Sequence, residues 1–298
     1  MKKFFKFIEI KTKITSIFPF FMTLLYLIYL GEGISPLKTA VFFTAMFLFD
    51  LTTTAINNYE DTKKNTQVLP YEREKAKAIM LSLFFTSTIL GLWLFLLTDM
   101  VILLTGALCF FIGVIYTFGP VPLNAGPTGE FLSGLFYGFF IPFIILYINL
   151  PKGSLVELAL SIEAVRFVII VPSMVNLILL SMAPFMSTSN IMLANNICDV
   201  EKDVAVGRYT LGYYMKDKAL ILFKVLYIIP YLAQTAMVLF NILPVISLVS
   251  LITAIPVFKN VSVFVKNPHK ETTFNTSIKN YILIMTGTIV GITVSVLF

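Results

Sequence analysis

Histidine and cysteine are nearly missing from this chain: His269 lies in a polar loop, and Cys109 and Cys198 fall in or at the end of apolar runs without ligand-type spacing. No His/Cys metal centre can be built from them, and the cysteines read as small buried hydrophobes rather than a disulfide. Charge is scarce too. Only 13% of the 298 side chains are charged and 58% are hydrophobic, with a mean hydropathy of +0.90. Too little polar surface remains for a water-soluble globule. Long basic runs are also lacking. The net charge of +6 is dispersed over short loops, which excludes a nucleic-acid footprint and reports membrane topology instead.

What the chain has in abundance is apolar runs of spanning length. Nine occur, at about 14–31, 38–57, 78–97, 100–118, 131–150, 167–196, 219–240, 243–258 and 280–298, most near the ~20 residues needed to cross a bilayer and the eighth shorter. The basic start, Lys2, Lys3, Lys6, Lys11 and Lys13, could pass for a signal peptide. No small-residue cleavage site follows, so the first run is read as a transmembrane helix. If the amino terminus is cytoplasmic, the inside segments 1–13, 58–77, 119–130, 197–224 and 259–279 hold 19 of the 22 Lys and Arg, leaving Lys38, Lys152 and Arg166 outside. That asymmetry fixes the orientation and an odd number of spans. The expected fold is an all-α membrane protein, one polytopic domain over 1–298, with nine helices in one bundle around a central cavity.

Two polar clusters end up on the same, cytoplasmic, face. In the later one, Asn195, Asp199 and Asp203 stand at i, i+4 and i+8, along one face of a helix. In the earlier one, Asp50, Thr54, Asn57 and Asp61 make a comparable stripe. Basic residues follow each: Lys63 and Lys64 after the first, Lys202 and Arg208 in and after the second. Paired carboxylates beside cations suit Mg²⁺ and a phosphate-bearing ligand, because Mg²⁺ takes one or two carboxylates plus waters and phosphate oxygens. The bland alternative is polar helix ends entering water, and two clusters with the same pattern weigh against it. Asp50 lies seven residues before Asn57, inside the membrane, where an acid is either functional or held by hydrogen bonds.

The sixth run gathers Asn176, Ser181, Ser187, Thr188, Ser189 and Asn190. Lipid does not tolerate that density, so this helix should face the protein interior, with kinks at Pro172 and Pro184. Glu130 follows a turn-rich loop and is explained by the helix dipole alone.

Asn57-Asn58-Tyr59-Glu60-Asp61 resembles the first N-D-x-x-D motif of the UbiA superfamily of intramembrane aromatic prenyltransferases, with Asn58 where Asp is usual. The stretch 195–203, continuing through Gly207-Arg208-Tyr209-Thr210-Leu211, resembles the second motif in its N-N-x-R-D-x-x-x-D, A-G-K-R-T-L form. The segment Tyr116-Thr117-Phe118-Gly119-Pro120-Val121-Pro122, with Gly129-Glu130 and Phe136-Tyr137-Gly138, is similar to a third pattern. Together they resemble the branch acting on 1,4-dihydroxy-2-naphthoate. Departures are Asn65 and Gln67 where a second acid is usual, Cys198 for Arg, and Tyr209 for a basic residue. They leave the first metal site weaker or completed by Glu60.

The resemblance implies a Mg²⁺-dependent polyprenyl transfer to dihydroxynaphthoate, with decarboxylation to demethylmenaquinone, in the cell membrane with the active site toward the cytoplasm. Asp61, Asp199 and Asp203 are the implied catalytic residues. Asn57, Asp61, Asn195, Asp199 and Asp203 would hold the metal. Asn57, Asn58, Asn195, Asn196, Arg208, Lys63 and Lys202 would bind diphosphate. Expected partners are a polyprenyl diphosphate, an aromatic acceptor and the lipid bilayer, with no nucleic acid and no protein partner to infer. The alternatives are another aromatic acceptor, such as 4-hydroxybenzoate or haem, or a transporter with the clusters as its ion site.

Overall fold

A computed structural model describes residues 2–64, 68–118 and 122–297. Asn65, Gln67 and the loop residues Gly119, Pro120 and Val121 lie outside them, as does the side chain of Lys64. A short helix α1 (Lys2–Phe7) and a 3-10 turn lead into α2 (Ile14–Tyr29), followed by α3 (Pro36–Lys64), α4 (Arg73–Leu96) and α5 (Met100–Ile115). Then α6 (Gly129–Gly134) runs through a π-helical turn, Leu135–Phe140, into α7 (Ile141–Asn149). The second half holds α8 (Val171–Cys198), α9 (Val200–Ala205), α10 (Leu211–Met215), α11 (Lys218–Leu239), a 3-10 stretch continuing as α12 (Ala254–Lys266), and α13 (Asn275–Leu297).

Eight of the described helical segments are long and apolar enough to cross a membrane. The chain is thus a multi-pass membrane protein. The fourth apolar run, counted as a span from sequence, becomes α5 and is shorter at 16 residues, about 24 Å at 1.5 Å per residue. The eighth run continues beyond its expected end at 258, to Lys266. Lipid-facing character is plainest on α4, whose Phe85, Ile89, Leu92, Trp93 and Leu96 are all exposed. An outward apolar face of that size has no place in water.

The all-α expectation needs one correction. Val156–Leu160 (β1) and Val165–Ile169 (β2) form an antiparallel hairpin in which Val156 pairs with Ile169, Leu158 with Phe167 and Leu160 with Val165. Alternation in Val-Glu-Leu-Ala-Leu and a β-branched run in Val-Arg-Phe-Val-Ile favour strands. This is why the sixth helix starts at Val171 rather than 167. Pro172 therefore sits in the first turn of α8, where its missing N–H costs nothing and produces no kink; Pro184 is the helix-interior proline.

The polar residues of α8 behave as expected, with Ser181, Ser187, Thr188, Ser189 and Asn190 all buried. The helix is central, packing on α11, on α6 and the π turn, and on α13. Its closest approach is to the glycines of the segment before α7. A Cβ on Gly138 would lie 2.3 Å from both N and Cα of Phe185, and one on Gly134 would lie 2.2 Å from Ser189 Oγ. Small residues four apart let helices in a membrane touch backbone to backbone. Gly138→Ala is accordingly expected to lower stability by about 1–3 kcal/mol, read as a fall in the detergent melting temperature. Gly106→Ala, where a Cβ meets nothing within 4 Å, is the control expected to leave it unchanged.

Candidate active site

The earlier cluster rides on the last turns of α3. The later one spans the junction of α8 and α9, and here the reading of one uninterrupted helix is corrected. Asp199 leaves helical geometry at φ −108°, ψ 11°. The bonding nevertheless carries across, with Asp199 N donating to Asn195 O (3.1 Å) and Asp203 N to Asp199 O (2.8 Å). The three side chains keep their one-turn spacing.

Each acid has a cation. Lys270 Nζ donates to both Asn195 Oδ1 and Asp199 Oδ2, while the largely exposed Lys202 stands 3.7 Å from Asp199 Oδ1. Arg208 Nε lies 3.7 Å from Asp203 Oδ1, and its backbone N donates to Asp203 O at 2.8 Å. Burial raises the Asp203 carboxyl above the usual range; Arg208 opposes that rise, and the Asp199 and Asp61 charges add to it. The influence of Asp61 on Asp203 brings together two motifs that are remote in sequence.

A hydrogen-bonded bridge joins them as well. Thr117 Oγ1 donates to Asn57 Oδ1, Asn124 Nδ2 to Thr117 Oγ1 at 3.4 Å, and Arg208 Nη2 to Asn124 O at 3.4 Å. Tyr209 N donates to Ala125 O at 2.8 Å. The turn-rich segment is thus the clamp between the motifs. Thr117 belongs to the third sequence pattern without a role there, and neither Asn124 nor Lys270 is a candidate from sequence.

Some sequence candidates face elsewhere. Asn58 Nδ2 donates to Phe7 O (2.9 Å), tying α3 to α1. Asn196 Nδ2 donates to Glu130 Oε1 (2.8 Å). Glu130 is buried, and this bond to the second motif means that it does more than complement a helix dipole. Lys63 pairs with Glu60 at 2.6 Å over the Tyr59 ring.

Asn57 also lines a cavity of about 480 Å³ walled by Phe49, Phe84, Phe110, Phe136 and Phe140. Near its polar end Asp50 is fully engaged. Lys13 Nζ donates to Asp50 Oδ1 (2.8 Å), Asp50 O (2.9 Å) and Thr54 Oγ1 (2.5 Å). Ser16 Oγ donates to Asp50 Oδ2 (2.6 Å) and Tyr137 OH to Oδ1 (2.8 Å). Of the two readings of this intramembrane acid, the hydrogen-bonded one matches what is seen.

The oxygens of the later cluster fit Mg²⁺. Asn195 and Asp199 already converge on one cation, the Lys270 ammonium, and Asp203 Oδ2 is buried without a hydrogen-bond partner among the described residues. Among the described residues no three His, Cys, Asp or Glu side chains form a closed metal cage.

Fold and site together define a multi-pass helix bundle with an oxygen-rich cluster beside an aromatic-walled chamber. The chain belongs to the UbiA prenyltransferase family, which matches residues 16–282. It is 25% identical over 191 residues to 1,4-dihydroxy-2-naphthoate octaprenyltransferase of Bacillus subtilis (strain 168), covering 60% of this chain and 55% of that protein. The match thus spans about half the length of that relative. A solved structure of digeranylgeranylglyceryl phosphate synthase superposes with a TM-score of 0.68 at 19% identity, over 99% of this chain and 98% of that one. A UbiA homologue from Archaeoglobus fulgidus bound to GPP and Mg²⁺ superposes at 0.61 with 12% identity, over 98% and 99% of the two chains.

Proposed function

We propose that residues 1–298 act as one polytopic enzyme of the cell membrane, with nine spans, a cytoplasmic amino terminus and the site facing the cytoplasm. It transfers a polyprenyl group from its diphosphate to 1,4-dihydroxy-2-naphthoate. One observation carries the reading: the two motifs close on each other through Thr117 and Asn124, with Asn57 shared between the polar cap and the apolar chamber. The motif resemblance and the Bacillus relative support this acceptor.

Asn57, Asp61, Asn195, Asp199 and Asp203 would hold Mg²⁺, which when bound neutralises charge building on the leaving diphosphate. Arg208 and Lys202 would supply positive charge to the same oxygens, with Lys63 joining them once it leaves Glu60 and Asn58, Asn195 and Asn196 completing the diphosphate site once their amides turn to it. The allylic C–O bond breaks and its electron pair leaves with the diphosphate. Aromatic walls exclude water from the cation and stabilise it through their ring faces. The acceptor ring carbon attacks, its carboxylate departs as carbon dioxide, and the pair left behind restores the aromatic ring. The product is the demethylmenaquinone skeleton at the quinol level.

Purified protein given an allylic diphosphate, Mg²⁺ and a panel of aromatic acceptors is expected to yield the decarboxylated naphthoquinol adduct by mass spectrometry. Product only from another acceptor, such as 4-hydroxybenzoate, would remove the acceptor assignment while keeping the reaction class. Mg²⁺-dependent diphosphate release without any ion gradient separates this enzyme from a transporter.

A further inference from the structure

Lys270 has no part in either sequence motif, yet its ammonium binds the oxygens Asn195 Oδ1 and Asp199 Oδ2. We propose that Lys270 is a tethered cation that holds these oxygens together in the metal-free enzyme, yields them when the metal arrives, and then carries its charge to the diphosphate. The inference rests on reading the cluster as a Mg²⁺-diphosphate site.

Geometry favours a side chain that moves over a backbone that does not. The segment joining α12 to α13 is pinned: His269 N donates to Thr273 Oγ1 (2.8 Å), Thr273 Oγ1 donates to Asn267 O (2.7 Å), and Phe274 N donates to His269 O (3.0 Å). The Lys270 side chain is one-third exposed, at 34%, and its ammonium also sits 4.8 Å from the centre of the Phe274 ring. It thus has open space to swing into and an aromatic surface to move along. A lysine is a compact charge on a flexible four-carbon stem, suited to following phosphate oxygens as a point charge.

Competition dictates the behaviour. An ammonium seated on both oxygens competes for their lone pairs and repels a second cation beside it, so without diphosphate Lys270 opposes the metal. Once a diphosphate is present, its oxygens offer the ammonium a new partner and the opposition becomes support. One residue should therefore act with opposite sign in the two states, which a fixed structural ion pair would not do.

The test uses full-length protein in detergent, with Mn²⁺ as the probe and free Mn²⁺ read by electron paramagnetic resonance. Without diphosphate, Lys270→Met is expected to bind Mn²⁺ at least about fivefold more tightly than wild type. At saturating Mn²⁺, the same variant should bind geranyl S-thiolodiphosphate at least about fivefold more weakly, while Lys270→Arg stays near wild type in that second measurement. Unchanged or weaker Mn²⁺ binding by Lys270→Met, beside a wild-type site that Asp199→Asn abolishes, overturns the inference alone. Wild-type protein with no Asp199-dependent Mn²⁺ site overturns the reading beneath it as well.

Discussion

Asp199→Ala and Asp203→Ala are each expected to reduce turnover by at least about 10²- to 10³-fold, in protein that still inserts and elutes as a single species. The two acids reach the same result by different routes. Asp199 shares Lys270 with Asn195, so its loss opens the pair of oxygens that one cation already gathers in this cluster. Asp203 holds Arg208 both through its carboxylate and through its backbone carbonyl. Truncation leaves the second of these contacts, and the guanidinium keeps only its bond to Asn124 O. The measurement is diphosphate release at saturating substrates, with Asp203→Asn as a volume-preserving companion. Near-normal rates in both alanine variants would sink the metal-site reading.

The second large effect lies in the membrane and concerns stability. Removing one partner of a buried ion pair costs about 3–5 kcal/mol, because the other charge is stranded. Lys13 and Asp50 have side chains only 2% and 4% exposed, and each has its further partners around it. Asp50→Leu and Lys13→Met are each expected to show that full loss as a lower detergent melting temperature and a shorter half-life. In Lys13→Met/Asp50→Leu no charge is left to strand, and much of the stability should return. Additive losses in this cycle would mean that the pair is not coupled.

The sequence made much of this legible where the pattern is local. Spans follow from runs of apolar residues, and the Asn195, Asp199, Asp203 stripe follows from a four-residue repeat. What could not be read is contact between distant segments. Lys270 lies 75 residues from Asn195 and looks like any of the basic residues that report topology. Thr117 is visible only as one letter of a motif and Asn124 as a turn residue, and only folding sets them between Asn57 and Arg208. The hairpin was a different kind of miss: its period-two alternation was visible, but the apolar run in β2 merged into the helix that follows.

The Lys13–Asp50 pair has a consequence for synthesis. Asp50 sits 14 residues beyond the first residue of α3, too deep to rest in lipid as a bare charge. Its counter-charge belongs to the preceding helix, which is already made when α3 emerges from the ribosome. Joint insertion of the first two spanning helices would spare Asp50 that exposure, and a chain that lost Lys13 is expected to show its defect as a lower yield of inserted protein, before any substrate could be bound.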